Sequence, residues 1–288
     1  MKQKFKWEWP SGNLNIQPTI LKFRRDLQDN GFRDSVIDTY IFRVSKYLQF
    51  AGLNNLNQEN FDKFRQTLHT RGLKRSTING YCIAIRAFHK LRNEEVKYKF
   101  LRISDQIPYY FSEEDVIKIF SVIDNFKHYV MLNTLFYGCL RVSELCGLND
   151  EDVDLENLNL RVYGKGGVYG LALINQHCAN ILKSYLEMRP SLKIDDKQPL
   201  FYTDYKNRWN RMEVSRMFHL YKLKAQIDKP GGAHVFARHT SASLMVKNGC
   251  DLLTIKEVLR HKSIESTMRY LHLADDTKRL KYDKFLKL

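Results

Sequence analysis

The sequence of 288 residues has no long apolar run and little cysteine. A membrane-spanning helix needs about 20 mainly apolar residues in a row, and because no stretch supplies them we expect no transmembrane segment. The opening MKQKFKWEWPSGN contains lysines without an apolar core behind them, which argues against a secretory signal. The five cysteines form no Cys-x-x-Cys pair, so the sequence favours free thiols in a reduced, cytoplasmic compartment.

The sequence also lacks the common motifs of nucleotide and metal chemistry. It contains neither a G-x-x-x-x-G-K-S/T phosphate loop nor an H-E-x-x-H zinc motif. The C-terminal part has histidines and a cysteine, but not at the spacing of a zinc site. These residues are His234, His239, Cys250, His261 and His272. We therefore expect neither a cofactor nor a metal ion.

Positive charge, by contrast, is in excess. Lys and Arg number 47 against 32 Asp and Glu, which gives a formal net charge of +15. A basic surface attracts polyanions through long-range steering and counterion release. Nucleic acid is the favoured partner; a membrane surface is the alternative, although no basic amphipathic helix stands out.

Apolar spacing predicts four helices in the first hundred residues. Three of them are expected to stop at Gly31, Gly52 and Gly72, because glycine commonly ends helices. The fourth is expected to start at a Ser76 or Thr77 cap. Basic residues on and beside this helix are either contacts to a DNA backbone or solvated charges. They are Lys74, Arg75, Arg86 and Lys90.

The apolar periodicity lapses around Pro108, which predicts two domains, residues 1–106 and 107–288. The second domain begins with a capping-box pattern at Ser112-Glu-Glu-Asp115, and a helix from about Tyr129 to Gly147 should follow.

Alternating apolar residues around a glycine-rich turn then predict a hairpin with Lys165 near its tip. Leu160 and Val162 alternate on the first strand, and Leu171 and Leu173 on the return strand. The expected fold is mainly α with this small β-sheet.

Cleavage of a DNA phosphodiester without a metal ion needs three kinds of group. Arginines can neutralise the charge that develops on the non-bridging oxygens, because the guanidinium fork matches two phosphate oxygens. A nucleophile must attack in line, and an acid must protonate the leaving oxygen. The C-terminal part supplies these types in a suggestive order: Arg141, Lys165, His234, Arg238, His261 and Tyr270.

This order resembles the tyrosine recombinases, also called the phage integrase family, in their Xer-like form. The resemblance is carried by LFYGCLRVSELCGL with DEDVDLENLNLRVYGKG, and by HVFARHTSASLMVKNGCDLLTIKEVLRHKSIESTMRYLH, over roughly residues 108–273. It implies an α-rich catalytic domain behind a helical, SAM-like core-binding domain. It also implies a tetramer on double-stranded DNA that exchanges strands through a 3′-phosphotyrosyl intermediate, without metal or ATP.

The resemblance also assigns roles to individual residues. Tyr270 would attack the scissile phosphate while Arg141 and Arg238 clamp its oxygens. Lys165 would protonate the leaving 5′ oxygen, and His261 would donate a hydrogen bond to the phosphate.

Two further residues complete the implied site. His234 would transfer protons near the tyrosine, and Glu144 would orient the site from the helix face that it shares with Arg141. An extra residue separates His234 from Arg238, which leaves His239 as the alternative histidine. The departures from the family pattern are Val235, Phe236 and Ala237 before Arg238, Arg260 before His261, Val168 and Tyr169 after GKG, and Cys139 before Leu-Arg.

Three interpretations remain open from the sequence. The first is a site-specific recombinase, the second a type IB topoisomerase with similar chemistry, and the third a DNA-binding protein whose catalytic site has decayed. The displaced His234 is the only support for the third. In a recombinase, the C-terminal tail with Leu280, Phe285 and Leu286 would dock on a neighbouring protomer or on its own domain.

Overall fold

A computed structural model of the chain describes residues 15–103, 109–164, 169–270 and 282–283. The chain forms two compact units, Met1–Ser104 and Asp105–Leu288. The predicted boundary at 106/107 falls in the stretch 104–108, which lies outside the described residues. Within the described parts of the chain, no helix is both long and apolar enough to cross a membrane.

The first unit contains the four helices that the apolar spacing predicts. They are α1 (Gln17–Asp29), α2 (Asp34–Ala51), α3 (Gln58–Thr70) and α4 (Arg75–Lys90). The predicted stops are confirmed, because each of these helices ends within two residues before its glycine. Gly31, Gly52 and Gly72 all have positive φ angles, a conformation that favours glycine. Aromatic rings fill the space between the helices. The buried aromatic residues include Phe23, Tyr47, Phe61, Phe64 and Phe88.

The predicted start of α4 is wrong. Lys74 is the N-cap residue, and Ser76 and Thr77 lie inside the first turn. The carbonyl oxygen of Lys74 accepts hydrogen bonds from the amides of Thr77 and Ile78, so the helix starts two residues earlier without a side-chain cap.

The second unit is helical around one small sheet, as the sequence predicts. Its helices are α5 (Glu113–Ser121), α6 (Phe126–Tyr137), α7 (Val142–Gly147), α8 (Gln176–Met188), α9 (Arg211–Lys224), α10 (Ser241–Lys247), α11 (Leu252–Val258) and α12 (Glu265–Met268), with a π-helical segment Val235–Thr240 before α10. The capping box of α5 is confirmed, because Ser112 and Asp115 exchange hydrogen bonds between side chain and backbone.

The single helix predicted from Tyr129 to Gly147 is wrong. The chain breaks between α6 and α7, where Cys139 has a φ of +46°. Gly138 makes the break possible: a Cβ atom there would lie 2.8 Å from the carbonyl oxygen of Thr134. Arg141 consequently stands at the N-cap of α7 in an extended conformation instead of in the middle of a helix.

The hairpin forms the larger part of a three-stranded antiparallel sheet. Its strands are β1 (Val153–Asp154), β2 (Asn159–Tyr163) and β3 (Tyr169–Leu173), in the order β1-β2-β3. Leu160 and Val162 are buried, as the alternation predicts. On β3, however, Leu171 and Leu173 are exposed and Ala172 takes the buried position. Lys165 lies in the connection 165–168, outside the described residues.

Candidate active site

Arg141 and Glu144 form a closed pair at the start of α7. The backbone amide of Arg141 donates to Oε2 of Glu144 at 2.8 Å, and its Nη1 donates to Oε1 at 2.5 Å. The break before α7 therefore joins the two residues through the N-cap amide and an ion pair, not through a shared helix face as the sequence suggests. The carboxylate is buried, whereas the side chain of Arg141 is 41% exposed, so the arginine can reach a ligand.

Glu144 is shared with a second arginine. Nη2 of Arg260 donates to Oε2 of Glu144 at 3.0 Å. Burial alone would raise the pKa of Glu144, but the amide of Arg141 and the charges of both arginines outweigh it and lower that pKa. Glu144 is thus a carboxylate at neutral pH.

Arg238 is buried beneath the site. Its Nη1 donates to the carbonyl oxygen of Cys139 at 2.8 Å, and its Nη2 donates to the carbonyl oxygen of Leu259. Burial and the neighbouring charges of Arg141 and Arg260 lower the pKa of Arg238 to about 10, so it keeps its charge at neutral pH. These bonds fix the guanidinium between the α6–α7 break and the end of α11.

The extra residue before Arg238 is taken up by the π-helical segment Val235–Thr240. A π-helical turn closes with an i→i+5 hydrogen bond and so holds one residue more than an α-helical turn. Thr240 stabilises the wide turn, because its hydroxyl donates to the carbonyl oxygen of Val235 and accepts the amide of Phe111. His234, at the start of the segment, can therefore face the same cavity as Arg141.

This cavity is open, basic and about 630 Å³ in volume. Its lining includes Arg141, Ser143 and His234, together with Arg211, Ser215 and Arg216 of α9. Burial, followed by the positive charges of Arg238 and Arg141, lowers the pKa of His234, so its imidazole is neutral at pH 7. The α9 residues carry no motif by which the sequence could have identified them.

Tyr270 is 1% exposed and packs in an apolar cluster with Ile255 and Leu259. Its hydroxyl oxygen lies 2.6 Å from Nδ1 of His239. Burial raises the pKa of Tyr270 to about 12, although Arg269 and Arg238 act in the opposite direction. His239, which the sequence suggests only as an alternative to His234, is thus the histidine in contact with the tyrosine.

His261 faces the site from the turn between α11 and α12. Its Nδ1 lies 2.9 Å from the hydroxyl of Thr267, which leaves the other ring nitrogen to meet a ligand. Burial, followed by the charges of Arg238 and Arg141, lowers the pKa of His261 to about 4. The ring is therefore neutral at pH 7.

The structure thus brings most of the sequence-predicted residues into one site. They are Arg141, Glu144, His234, Arg238, His261 and Tyr270, whereas Lys165 falls outside the described residues. The basic residues of α4 lie in the first unit with exposed side chains. Within the described part of the chain, no group of three or more His, Cys, Asp or Glu residues is arranged to hold a metal ion.

Sequence reasoning missed Arg260 as a member of the site and named His239 only as the alternative to His234. Arg260 is visible in the sequence only as a departure from a family glycine, and His239 only as the neighbour of Arg238. Two partners of Arg260, Cys139 and Glu144, lie more than 100 residues away along the chain, so the sequence gives no sign of them.

Comparison with known proteins identifies this arrangement. The family described as "Phage integrase family" matches residues 110–277. The chain is 34% identical over 196 residues to tyrosine recombinase XerC of Thermodesulfovibrio yellowstonii, a match that covers 64% of each chain. It is 28% identical to tyrosine recombinase XerC of Bacillus pumilus, over 93% of this chain and 96% of that one.

Solved structures show the same fold. The Tn1549 transposon integrase in complex with a circular intermediate DNA superposes with a TM-score of 0.71, at 18% identity, over 93% of this chain and 99% of that one. The XerH site-specific recombinase bound to difH substrate superposes with a TM-score of 0.69, at 21% identity, over 87% of this chain and 79% of that one.

Proposed function

The chain belongs to the phage integrase family, and we propose that Tyr270 is the nucleophile with which it cuts DNA at a specific site. It is a tyrosine recombinase, an enzyme that breaks and rejoins DNA strands. The observation that carries the proposal is that the charge of Arg238 acts on both Tyr270 and His261, with Arg141 acting on the same histidine and His239 bonded to the tyrosine.

The scissile phosphate would bind between Arg141 and Arg238. Arg141 offers a partly exposed guanidinium, and Arg238 brings a second positive charge from below. Both charges stabilise the extra negative charge of the transition state on the non-bridging oxygens. His261, neutral and held by Thr267, would add a hydrogen bond from its free ring nitrogen.

Strand cleavage would then proceed by one displacement at phosphorus. The oxygen of Tyr270 forms a bond to phosphorus as its proton passes to a neighbouring histidine, His239 or His234, and the bond to the 5′ oxygen breaks. Lys165, carried on the hairpin, would protonate that leaving oxygen. The product is a 3′-phosphotyrosyl link with a free 5′-hydroxyl, and attack by a 5′-hydroxyl from another strand reverses the step. The covalent link conserves the phosphodiester bond energy, so neither ATP nor a metal ion is required.

We further propose that the enzyme acts as a tetramer on two DNA duplexes in the cytoplasm. The basic residues of α4 would contact the DNA backbone from the first unit. Support for DNA as the partner comes from the net charge of +15 and from relatives solved with DNA, such as the XerH recombinase and the transposon integrase. The five free cysteines suit a reducing compartment. The tail proposed to join protomers lies largely outside the described residues.

Covalent trapping tests the nucleophile. Duplexes selected by the protein from a randomised pool are given a nick near the cleavage point and incubated without metal or ATP. The wild-type protein and the control Tyr205→Phe, which changes an 89% exposed tyrosine, should form an adduct on a denaturing gel. Tyr270→Phe should form none; an adduct in that variant would refute the assignment.

Analysis of the products tests strand exchange separately from strand cleavage. A recombinase yields exchanged junctions at one defined site, whereas a type IB topoisomerase yields only relaxed plasmid. Salt-sensitive DNA binding without any adduct would favour a DNA-binding protein with a decayed site.

A further inference from the structure

Arg260 adopts a backbone conformation that favours glycine. Its φ is +53°, in the left-handed region where every residue with a Cβ atom is strained. Cys139, the other residue of the site that stands in place of a family glycine, has a φ of +46°. The chain therefore keeps an arginine at position 260 despite a conformational cost that glycine would avoid.

The guanidinium of Arg260 is turned into the protein. Its side chain is only 12% exposed. Nη2 donates to Oε2 of Glu144 at 3.0 Å and to the carbonyl oxygen of Cys139 at 3.2 Å, while Nη1 donates to the carbonyl oxygen of Val258 at 3.0 Å. The arginine thus ties the turn before His261 to the α6–α7 break.

The bond from Arg260 to Glu144 changes the net charge beside the cavity. Glu144 carries one negative charge between the positive charges of Arg141 and Arg260. With Arg260 present, the three residues together keep a net charge of +1 beside the cavity. Without Arg260, the pair of Arg141 and Glu144 would be neutral, and the attraction of Arg141 for an anion would fall.

Arg260 also lies beneath the sheet. A Cβ atom at Gly170 would lie 3.1 Å from Cδ of Arg260, so the glycine leaves the space that the arginine stem fills. Gly170 is on β3 and pairs with Val162 on β2, at the base of the connection that carries Lys165. The same side chain thus contacts both Glu144, the partner of Arg141, and Gly170 on β3.

We propose that Arg260 is a positioning residue that balances the charge of Glu144, so that Arg141, Glu144 and Arg260 together keep a net positive charge beside the scissile phosphate. Its aliphatic stem packs against Gly170 of β3. This inference rests on the proposed function, because it concerns the same phosphate.

A double-mutant cycle tests the charge balance. Single-turnover adduct formation on the nicked duplex is compared for the wild-type protein, Arg260→Gln, Glu144→Gln and the double variant. Arg260→Gln should slow cleavage by about 10- to 100-fold, less than the roughly 100- to 1000-fold lost when a direct transition-state donor is removed, because Arg260 acts through Glu144. DNA affinity should change little. Glu144→Gln in that background should restore part of the rate, because it removes the charge that Arg260 balances. Arg260→Lys should retain more activity than Arg260→Gln.

Lys206→Gln is the matched control. Lys206 is exposed, and its φ of +60° lies in the same left-handed region. Its substitution removes one positive charge from the same unit and should leave the cleavage rate near that of the wild type. Thermal unfolding of each variant, without DNA, shows whether it is folded.

Three outcomes would overturn the inference: cleavage by Arg260→Gln at the wild-type rate, a double variant that cleaves no faster than Arg260→Gln, or a loss of activity in Lys206→Gln as large as that in Arg260→Gln. Failure of the wild-type protein to form an adduct on DNA that it binds is a distinct result, which would refute the proposed function and this inference with it.

Discussion

Nδ1 of His239 lies 2.6 Å from the hydroxyl oxygen of Tyr270. Burial lowers the pKa of His239 to about 4, and burial raises that of Tyr270 to about 12. At neutral pH the histidine is therefore an uncharged acceptor and the tyrosine a donor. The ring of His234 packs edge-on against His239, with ring centroids 5.1 Å apart, and His234 lines the cavity. Two adjacent imidazole rings therefore lie between the hydroxyl of Tyr270 and the cavity.

The first prediction concerns this proton acceptor. His239→Ala should slow adduct formation by about 100-fold or more, the usual contribution of a positioned general base, while DNA binding stays unchanged. His219→Ala, which removes an exposed histidine on α9, is the control. If His239→Ala cleaves at the wild-type rate and His234→Ala cleaves slowly, the histidine that accepts the tyrosine proton is His234.

The second prediction concerns stability at mildly acidic pH. The pKa of His261 is lowered to about 4 from an ordinary value of 6.5, so between these values the unfolded chain binds more protons than the folded one. The free energy of unfolding should consequently fall as pH drops from 6.5 toward 4, by at most about 1.4 kcal/mol per pH unit for this group. Because the ring is only half-buried, we expect a smaller slope. Denaturant unfolding at several pH values measures the free energy of unfolding, which should depend less on pH in His261→Asn than in the wild-type protein. The same pH dependence in both proteins would contradict the lowered pKa of His261.

The third prediction concerns the break between α6 and α7. Gly138→Ala should destabilise the protein by about 1–3 kcal/mol, because its Cβ atom would meet a backbone oxygen at 2.8 Å. Gly147→Ala is the matched control, since a Cβ atom there has nothing within 4 Å. That variant should be neutral or slightly stabilising. Equal melting temperatures for the two variants would show that the break tolerates a side chain.

The fourth prediction concerns α4. The double substitution Lys74→Gln and Arg75→Gln should weaken DNA binding for all sequences and reduce the slope of log K against log salt by about 2. Lys63→Gln is the control, because Lys63 already pairs with Glu59 on α3. An unchanged salt slope in the double variant would mean that these charges are merely solvated.

The sequence predicts the elements whose signals are local. Glycine at helix ends, the Ser112 capping box and the buried alternation on β2 each depend on neighbours only a few residues away. The hydrophobic pattern could not predict which residues of β3 face the core. Small residues must face inward there, because Gly170 lies against the stem of Arg260, and Leu171 and Leu173 are consequently left outside.

The candidate site depends on contacts between residues that lie far apart along the chain. The order of its residues was enough to select Arg141, Arg238, His261 and Tyr270. The contacts that set their chemistry could not be predicted, because Glu144 meets Arg260 across 116 residues and His239 meets Tyr270 across 31. Packing of the whole unit decides such distances.

The wide turn at Val235–Thr240 bears on how the family tolerates change in length. One residue added to a regular helix would rotate everything beyond it by about 100°. Here the wide turn takes up that residue before α10 begins, so the pocket that α10 and α11 build around Tyr270 keeps its orientation. The widened turn therefore lets an additional residue precede Arg238 while α10 remains a regular helix.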